Sequence, residues 1–184
     1  MAERVGVLTW KQANSVLTYL KGVGNKRDVA LWAVGIGTGL RISDILGLEW
    51  SDVLDAENKV AQSIAVTETK TKGNRQLTLL PLVREALEDY RTTDEGRIFN
   101  VTRQHARRLV KEWCEAVNLR GNYGTHTMRK VFCTLAYNNS GGDPVATARV
   151  TGHANPAQLM HYIGQTAQSE SDIWNGIAAT MGSK

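Results

Sequence analysis

Two short patterns in the second half of this 184-residue chain combine residue types that can act on a phosphate. One is His126-Thr127-Met128-Arg129. The other is Gly152-His153, followed nine residues after the histidine by Tyr162. By composition, a His-x-x-Arg is expected by chance roughly 0.3 times, and a Gly-His with such a tyrosine roughly 0.01 times. The second pattern is the informative one, and the first gains weight by preceding it closely. Breaking a phosphodiester by transesterification needs a nucleophile, cations at two non-bridging oxygens and a proton donor for the leaving oxygen. Tyr162 supplies a hydroxyl able to attack phosphorus and form a covalent phosphotyrosine. A free phenol titrates near pH ~10, so it needs cationic surroundings and a base. Arg41 and Arg129 can each grip a phosphate through two parallel hydrogen bonds, a geometry lysine does not match. His153 can add a further hydrogen bond. Arg41 stands between Leu40 and Ile42, where an unpaired charge is costly. It therefore needs an anionic partner, either Asp44 or a ligand. Taken singly, each residue has a commoner structural role: a helix cap for Arg41, a helix start for His126, a surface charge for Arg129, a helix-ending loop for His153, a core ring for Tyr162. Order and spacing together favour the site.

The elements that must position these residues are mostly helices. Thr9-Trp10-Lys11-Gln12 has a capping-box pattern that opens a helix to about Leu20. Lys21 to Arg27 reads as a loop. Asp28 to Thr38 reads as a buried helix weakened by Gly35 and Gly37, and a short helix follows around Ile42 to Leu46. Between Asp52 and Leu80 the pattern changes. Val60, Ile64 and Val66 alternate with polar residues, as do Leu77 and Leu79, with a turn at Lys72-Gly73-Asn74. This predicts an antiparallel meander of two or three strands. Pro81 then starts a helix ending near Tyr90. From Thr102 to Asn118 the helical stripe is Ala106, Leu109, Val110, Trp113 and Val117, while Arg103, Arg107 and Lys111 recur every four residues on another face. Further helices are expected from Thr125 to Tyr137, from Asp143-Pro144 to Thr151, from Asn155-Pro156 through Tyr162, and from Ser169 to Met181. The fold class is α+β, mostly α, with one small antiparallel sheet.

With the boxes in this order, the sequence resembles the tyrosine recombinases, or phage-type integrases, from about Leu8 to Trp174. Thr38-Gly39-Leu40-Arg41-Ile42-Ser43-Asp44-Ile45-Leu46 is similar to their first arginine box. His126-Thr127-Met128-Arg129 is similar to their histidine–arginine box, and Thr151-Gly152-His153 with Tyr162 to their last histidine and nucleophile. Thr151 stands where the family commonly has an aliphatic residue. Lys72-Gly73-Asn74 resembles the turn that carries the family's catalytic lysine, with Lys70 close by as the alternative. The resemblance implies the fold of the family's catalytic domain and the making and rejoining of DNA strand breaks through a 3′-phosphotyrosine. It implies Lys72 as the acid for the 5′-oxygen and His126 as the base near the nucleophile. It also implies double-stranded DNA as partner, a homotetramer on two DNA sites, and a monomer or weak oligomer without DNA. Lys70, Arg103, Arg107 and Lys111 are the expected DNA contacts. One catalytic domain over residues 1–184 is expected, with no separate N-terminal DNA-binding domain. Neighbouring readings are a topoisomerase-like nicking and resealing enzyme, an idle DNA-binding regulator on the same fold, and a plain helical interaction module.

Charge and composition agree. The net charge is +4, and it is unevenly spread. Arg97, Arg103, Arg107, Arg108, Lys111, Arg120, Arg129 and Lys130 face only Glu112 and Glu115 across residues 97–130, whereas residues 41–68 are mainly acidic. A face that docks on phosphates has such an asymmetry. With 42% hydrophobic and 22% charged residues, disorder, collagen and coiled coil are excluded. Arg41 and Asp44 interrupt the longest apolar run, Val29 to Leu48, so no membrane span or membrane partner is expected. No apolar leader is visible at the N-terminus, and Cys114 and Cys133 lie in apolar patterns, as in a reduced, cytoplasmic protein. There is no Cys-x-x-Cys, so no metal set is expected. Covalent retention of the ester energy also calls for neither ATP nor another cofactor.

Overall fold

A computed structural model describes residues 5–69 and 73–163. The helix α1 (Trp10–Val23) opens with the expected capping box: Gln12 N–H donates to Thr9 Oγ1 at 3.3 Å, and Thr9 N–H to Gln12 Oε1 at 2.9 Å. It runs one turn beyond Leu20, because the residue that stops it is Gly24 in the left-handed conformation. Asn25 then caps α2 (Lys26–Thr38) through its side chain, so the loop predicted over residues 21–27 shrinks to two residues. Gly35 and Gly37 do not weaken α2 as an isolated helix would suffer. Each lets another helix approach: a Cβ on Gly35 would overlap the Met128 side chain and one on Gly37 would overlap Val83. Every residue of α2 from Asp28 to Thr38 is buried, which makes it the central strut.

After α2 come the one-turn helices α3 (Ile42–Ile45) and α4 (Trp50–Val53). The second was not expected from the sequence. A two-stranded antiparallel sheet follows, β1 (Ser63–Thr67) with β2 (Asn74–Thr78), in the register Ile64 opposite Leu77 and Val66 opposite Arg75. The inward positions Ile64, Val66 and Leu77 are buried, as their alternation requires. Val60 lies outside the strands and forms only an isolated bridge with Leu54. Then come α5 (Pro81–Tyr90), α6 (Arg103–Ala116), α7 (Thr125–Asn139), α8 (Pro144–Thr151) and α9 (Pro156–Ile163).

Helix α2 packs on α1, α5 and α7, and the core is continuous from Leu8 to Val131. Trp32 and Trp113 meet edge to face at 5.9 Å, joining α2 to α6. A second, smaller core of Cys133, Ala148, Leu159 and Ile163 joins α7, α8 and α9. Both cysteines are buried and free, and burial pushes their thiols up to about 12 for Cys114 and about 11 for Cys133. Among the described residues no helix is long and apolar enough to cross a membrane. Lys70 and Lys72 and the helix predicted over Ser169 to Met181 lie outside the described residues.

Candidate active site

Arg41 is the last residue before α3, in extended conformation between the left-handed Gly39 and the buried Ile42. Its guanidinium is not paired with Asp44, the protein partner considered from the sequence. Nη1 donates instead to Oε2 of Glu68, the residue after β1, at 2.7 Å. Asp44 turns away to accept the Thr69 N–H at 3.0 Å, tying the first arginine box to the end of β1.

Arg129, one turn into α7, is 2% exposed. A surface role is thereby ruled out. Nη1 donates to the Gly39 carbonyl, Nη2 to the Thr151 carbonyl at 2.9 Å, and Nη2 also lies 3.4 Å from His153 Nε2. Two backbone carbonyls from segments far apart in sequence thus fix a cation. The bonds hold the first arginine box and the Gly-His turn to the same side chain.

His153 follows Gly152, the left-handed stop of α8, whose N–H returns to Ala148. A side chain on Gly152 would also collide with Arg75 Nη1 and Glu68 Oε1, so glycine is required twice over. Thr151 Oγ1 lies 2.7 Å from His153 Nδ1 and 2.8 Å from the Thr147 carbonyl. The hydroxyl gives its proton to that carbonyl, so Nδ1–H donates to Thr151 and Nε2 carries the lone pair facing Arg129, which can only donate. Thr151, the departure from the family's usual aliphatic residue, orients the imidazole. Burial first, then Arg129 and Arg41, lower the His153 pKa to about 4.

Tyr162 sits on α9, whose start is capped by Asn155 Oδ1 accepting the Ala157 N–H at 2.8 Å. Its hydroxyl is 3.1 Å from His126 Nδ1 and 3.4 Å from the His126 carbonyl. The pairing across 36 residues brings the two sequence patterns together. Burial raises the Tyr162 pKa while Arg129 and Arg41 oppose it. Burial, followed by Arg129 and Lys130, lowers that of His126. At neutral pH the pair therefore rests as neutral phenol and neutral imidazole.

Three further residues were not singled out from the sequence. Glu68 is 2% exposed and accepts from both Arg41 and Arg75. Arg75 also donates to the Thr38 carbonyl at 2.8 Å. Lys130 places Nζ 5.6 Å from the Tyr162 ring centre while donating to the Val5 carbonyl at 2.7 Å. Only the charge excess over residues 97–130 pointed towards Lys130, and nothing local marked Glu68 or Arg75.

On α6, Arg103, Arg107 and Lys111 are all exposed. The stripe runs towards the site: the Arg107 side chain packs on Gly124 at the start of α7, and Arg103 is close enough to lower the His126 pKa. Arg107, Arg108 and Lys111 line a surface cavity of about 620 Å³ with Asn122 and Tyr123. Of the expected site, Arg41, His126, Arg129, His153 and Tyr162 are thus brought together. The two lysines lie outside the described residues; on either side of them, Glu68 N–H donates to the Gly73 carbonyl at 3.0 Å.

The model of the phage integrase family matches residues 6–169. A probable integrase/recombinase, YoeC of Bacillus subtilis strain 168, is 32% identical over 165 residues, covering 83% of this chain and 87% of that protein. The tyrosine recombinase XerC of Caldanaerobacter subterraneus subsp. tengcongensis is 24% identical over 171 residues, 84% of this chain and 46% of its own. The chain thus spans about half the length of its Xer relatives. In solved structures the fold recurs in XerA recombinase, with a TM-score of 0.72 at 19% identity over 98% of this chain and 67% of that one. It recurs also in XerH recombinase bound to its difH substrate before cleavage, with a TM-score of 0.73 at 17% identity over 97% of this chain and 55% of that one. The chain belongs to the phage integrase family and has the fold of the tyrosine recombinase catalytic domain.

Proposed function

We propose that this chain, by family a tyrosine-type site-specific DNA recombinase, cuts and rejoins duplex DNA through a 3′-phosphotyrosine formed by Tyr162. The observation that carries the reading is the Tyr162 hydroxyl resting on His126 Nδ1 at 3.1 Å. It pairs the nucleophile with a base. In the forward step the Tyr162 Oη–P bond forms and the P–O5′ bond breaks. The phenol proton goes to His126, and the 5′-oxygen takes a proton from Lys72 or Lys70. Arg41 and Arg129 meet the charge that develops on the non-bridging oxygens. His153 donates to that oxygen through Nε2 once the incoming phosphate favours its protonated form. One ester replaces another, so the reverse attack by a 5′-hydroxyl reseals the strand without ATP, and fixed guanidinium groups serve where other nucleases use metal ions. The opposed shifts at Tyr162 and His126 keep the nucleophile protonated at rest, and the proton leaves as the bond to phosphorus forms.

The exposed basic stripe of α6 is the proposed DNA face. Two duplexes held by four protomers is the proposed working assembly, and a single catalytic domain over residues 1–184 the proposed organisation. The test is selection from a pool of nicked duplexes with randomised sequence. The wild-type protein should retain strands through an SDS-resistant link, and Tyr162→Phe should retain none while still shifting DNA in a gel. No adduct from the wild type, or an adduct from Tyr162→Phe, refutes the reading.

A further inference from the structure

Glu68 is an unusual residue to find beside a phosphate site. A carboxylate there repels the substrate, and a buried ionic group gains little stability over a well-packed apolar one. Its geometry nevertheless shows every sign of fit. Oε2 accepts from Arg41 Nη1 at 2.7 Å and Oε1 from Arg75 Nη1 at 2.9 Å. Arg75 Nη2 is in turn fixed by the Thr38 carbonyl at 2.8 Å, three residues before Arg41. Gly152 presses on this pair from the Gly-His turn. Side-chain exposure rises outward along the row, from Glu68 at 2% to Arg75 at 11% and Arg41 at 20%. Arg41 is therefore anchored at Nη1, and its other donors meet no acceptor among the described residues.

We propose that Glu68 is a positioning residue for Arg41, holding one edge of the guanidinium so that the other faces the scissile phosphate, with Arg75 as the counter-cation. The proposal rests on the recombinase reading above. A free arginine side chain has many rotamers, and each bond it makes to phosphate must first freeze them. The anchor removes that cost before substrate arrives and fixes the fork where charge develops. Arg75 answers the objection of repulsion. The charges of Arg41, Arg129 and Glu68 sum to +1, and Arg75 raises that sum to +2. The triad joins the first arginine box to the residue after β1 and to β2, and lies close against Gly152 of the Gly-His turn.

The test uses single-turnover adduct formation on a nicked duplex recovered with the wild-type protein from the randomised pool. Failure to recover any such duplex refutes the recombinase reading itself and is distinguishable from failure of the Glu68 role. Glu68→Gln, which keeps the shape but loses the charge, should slow adduct formation at saturating DNA by tenfold or more and change DNA affinity less than twofold. In an Arg41→Ala background the same change should cost nothing further, because it acts through Arg41. On a duplex with a neutral methylphosphonate at the scissile position, Glu68→Gln and wild type should react alike. If Glu68→Gln does not fold, Glu68→Asp, which withdraws both oxygens by one methylene, gives the same comparison. Wild-type rates in the folded variant, multiplicative losses in the double variant, or an undiminished defect on methylphosphonate would each overturn the proposal.

Discussion

At the scale of single residues, the resting site holds both of its imidazoles neutral. His153 titrates near pH 4 in the folded chain and near ~6.5 when unfolded. Between those values the unfolded chain binds the extra proton. Folding stability therefore rises with pH across this window and is lost as pH falls from about 6.5 through about 4. His126, also lowered, adds in the same direction. Urea midpoints measured at pH 7, 5.5 and 4.5 should fall less steeply for His153→Gln than for wild type; parallel curves would show that His153 is not buried as a neutral ring. The side chains that organise the site were only partly legible in the sequence. Arg41, His126, Arg129, His153 and Tyr162 stood out because they are local boxes. Glu68 and Arg75 did not, because Arg41 and Thr38, which they meet, lie far from them in sequence and no spacing rule links residues 41, 68 and 75. Asp44, near in sequence, looked like the partner of Arg41 and is not.

At the scale of elements, the close meeting of α2 and α7 sets the distance between the two arginines. It depends on small residues on α2 and on Gly39, which has φ +63° and whose Cβ would overlap the Phe132 ring. Gly39→Ala would meet both backbone strain and overpacking, of about 1–3 kcal/mol for the latter. It would also disturb the carbonyl that accepts from Arg129. Urea denaturation should show that loss, together with slower adduct formation; unchanged values for both would mean that the packing there is slack. Helices with clear caps and stripes were legible to within a turn: Thr9, Thr102, Asp143 and Asn155 each mark a start through a side-chain bond. The length of α1 was not, because Gly22 and Gly24 look alike in sequence and only the second takes the left-handed stop. Helix α4 was missed because its second half, from Asp52, falls in the stretch whose alternation reads as strand.

At the scale of the whole molecule, the basic stripe and the apolar surface make different predictions. Replacing Arg103, Arg107 and Lys111 together by Gln should weaken binding to duplex DNA of any sequence. It should also reduce the slope of log affinity against log salt by about one unit for each phosphate that is no longer neutralised. Unchanged affinity and slope would remove α6 from the DNA face. A groove lined by Trp10, Leu80, Leu82, Phe132, Leu135 and Val150 offers about 690 Å³ of largely apolar space. From the sequence, Ser169 to Met181, with Ile173, Trp174 and Ile177, is expected to pack on a neighbouring protomer. Truncation after Gln168 should leave the domain folded and DNA binding by single protomers intact, while cooperative assembly on paired sites is lost. Full cooperativity in the truncated protein would exclude that segment as the coupling element.

The proposed reaction joins Tyr162 covalently to DNA using only the cations of the chain. The most direct measurement is mass spectrometry of the peptide attached to the retained strand after trapping on a nicked duplex in excess EDTA without nucleotide. A single 3′-phosphotyrosine at Tyr162 is expected, formed at the same rate with and without EDTA. Attachment at another residue, or an adduct that forms only when a divalent metal is restored, would contradict it.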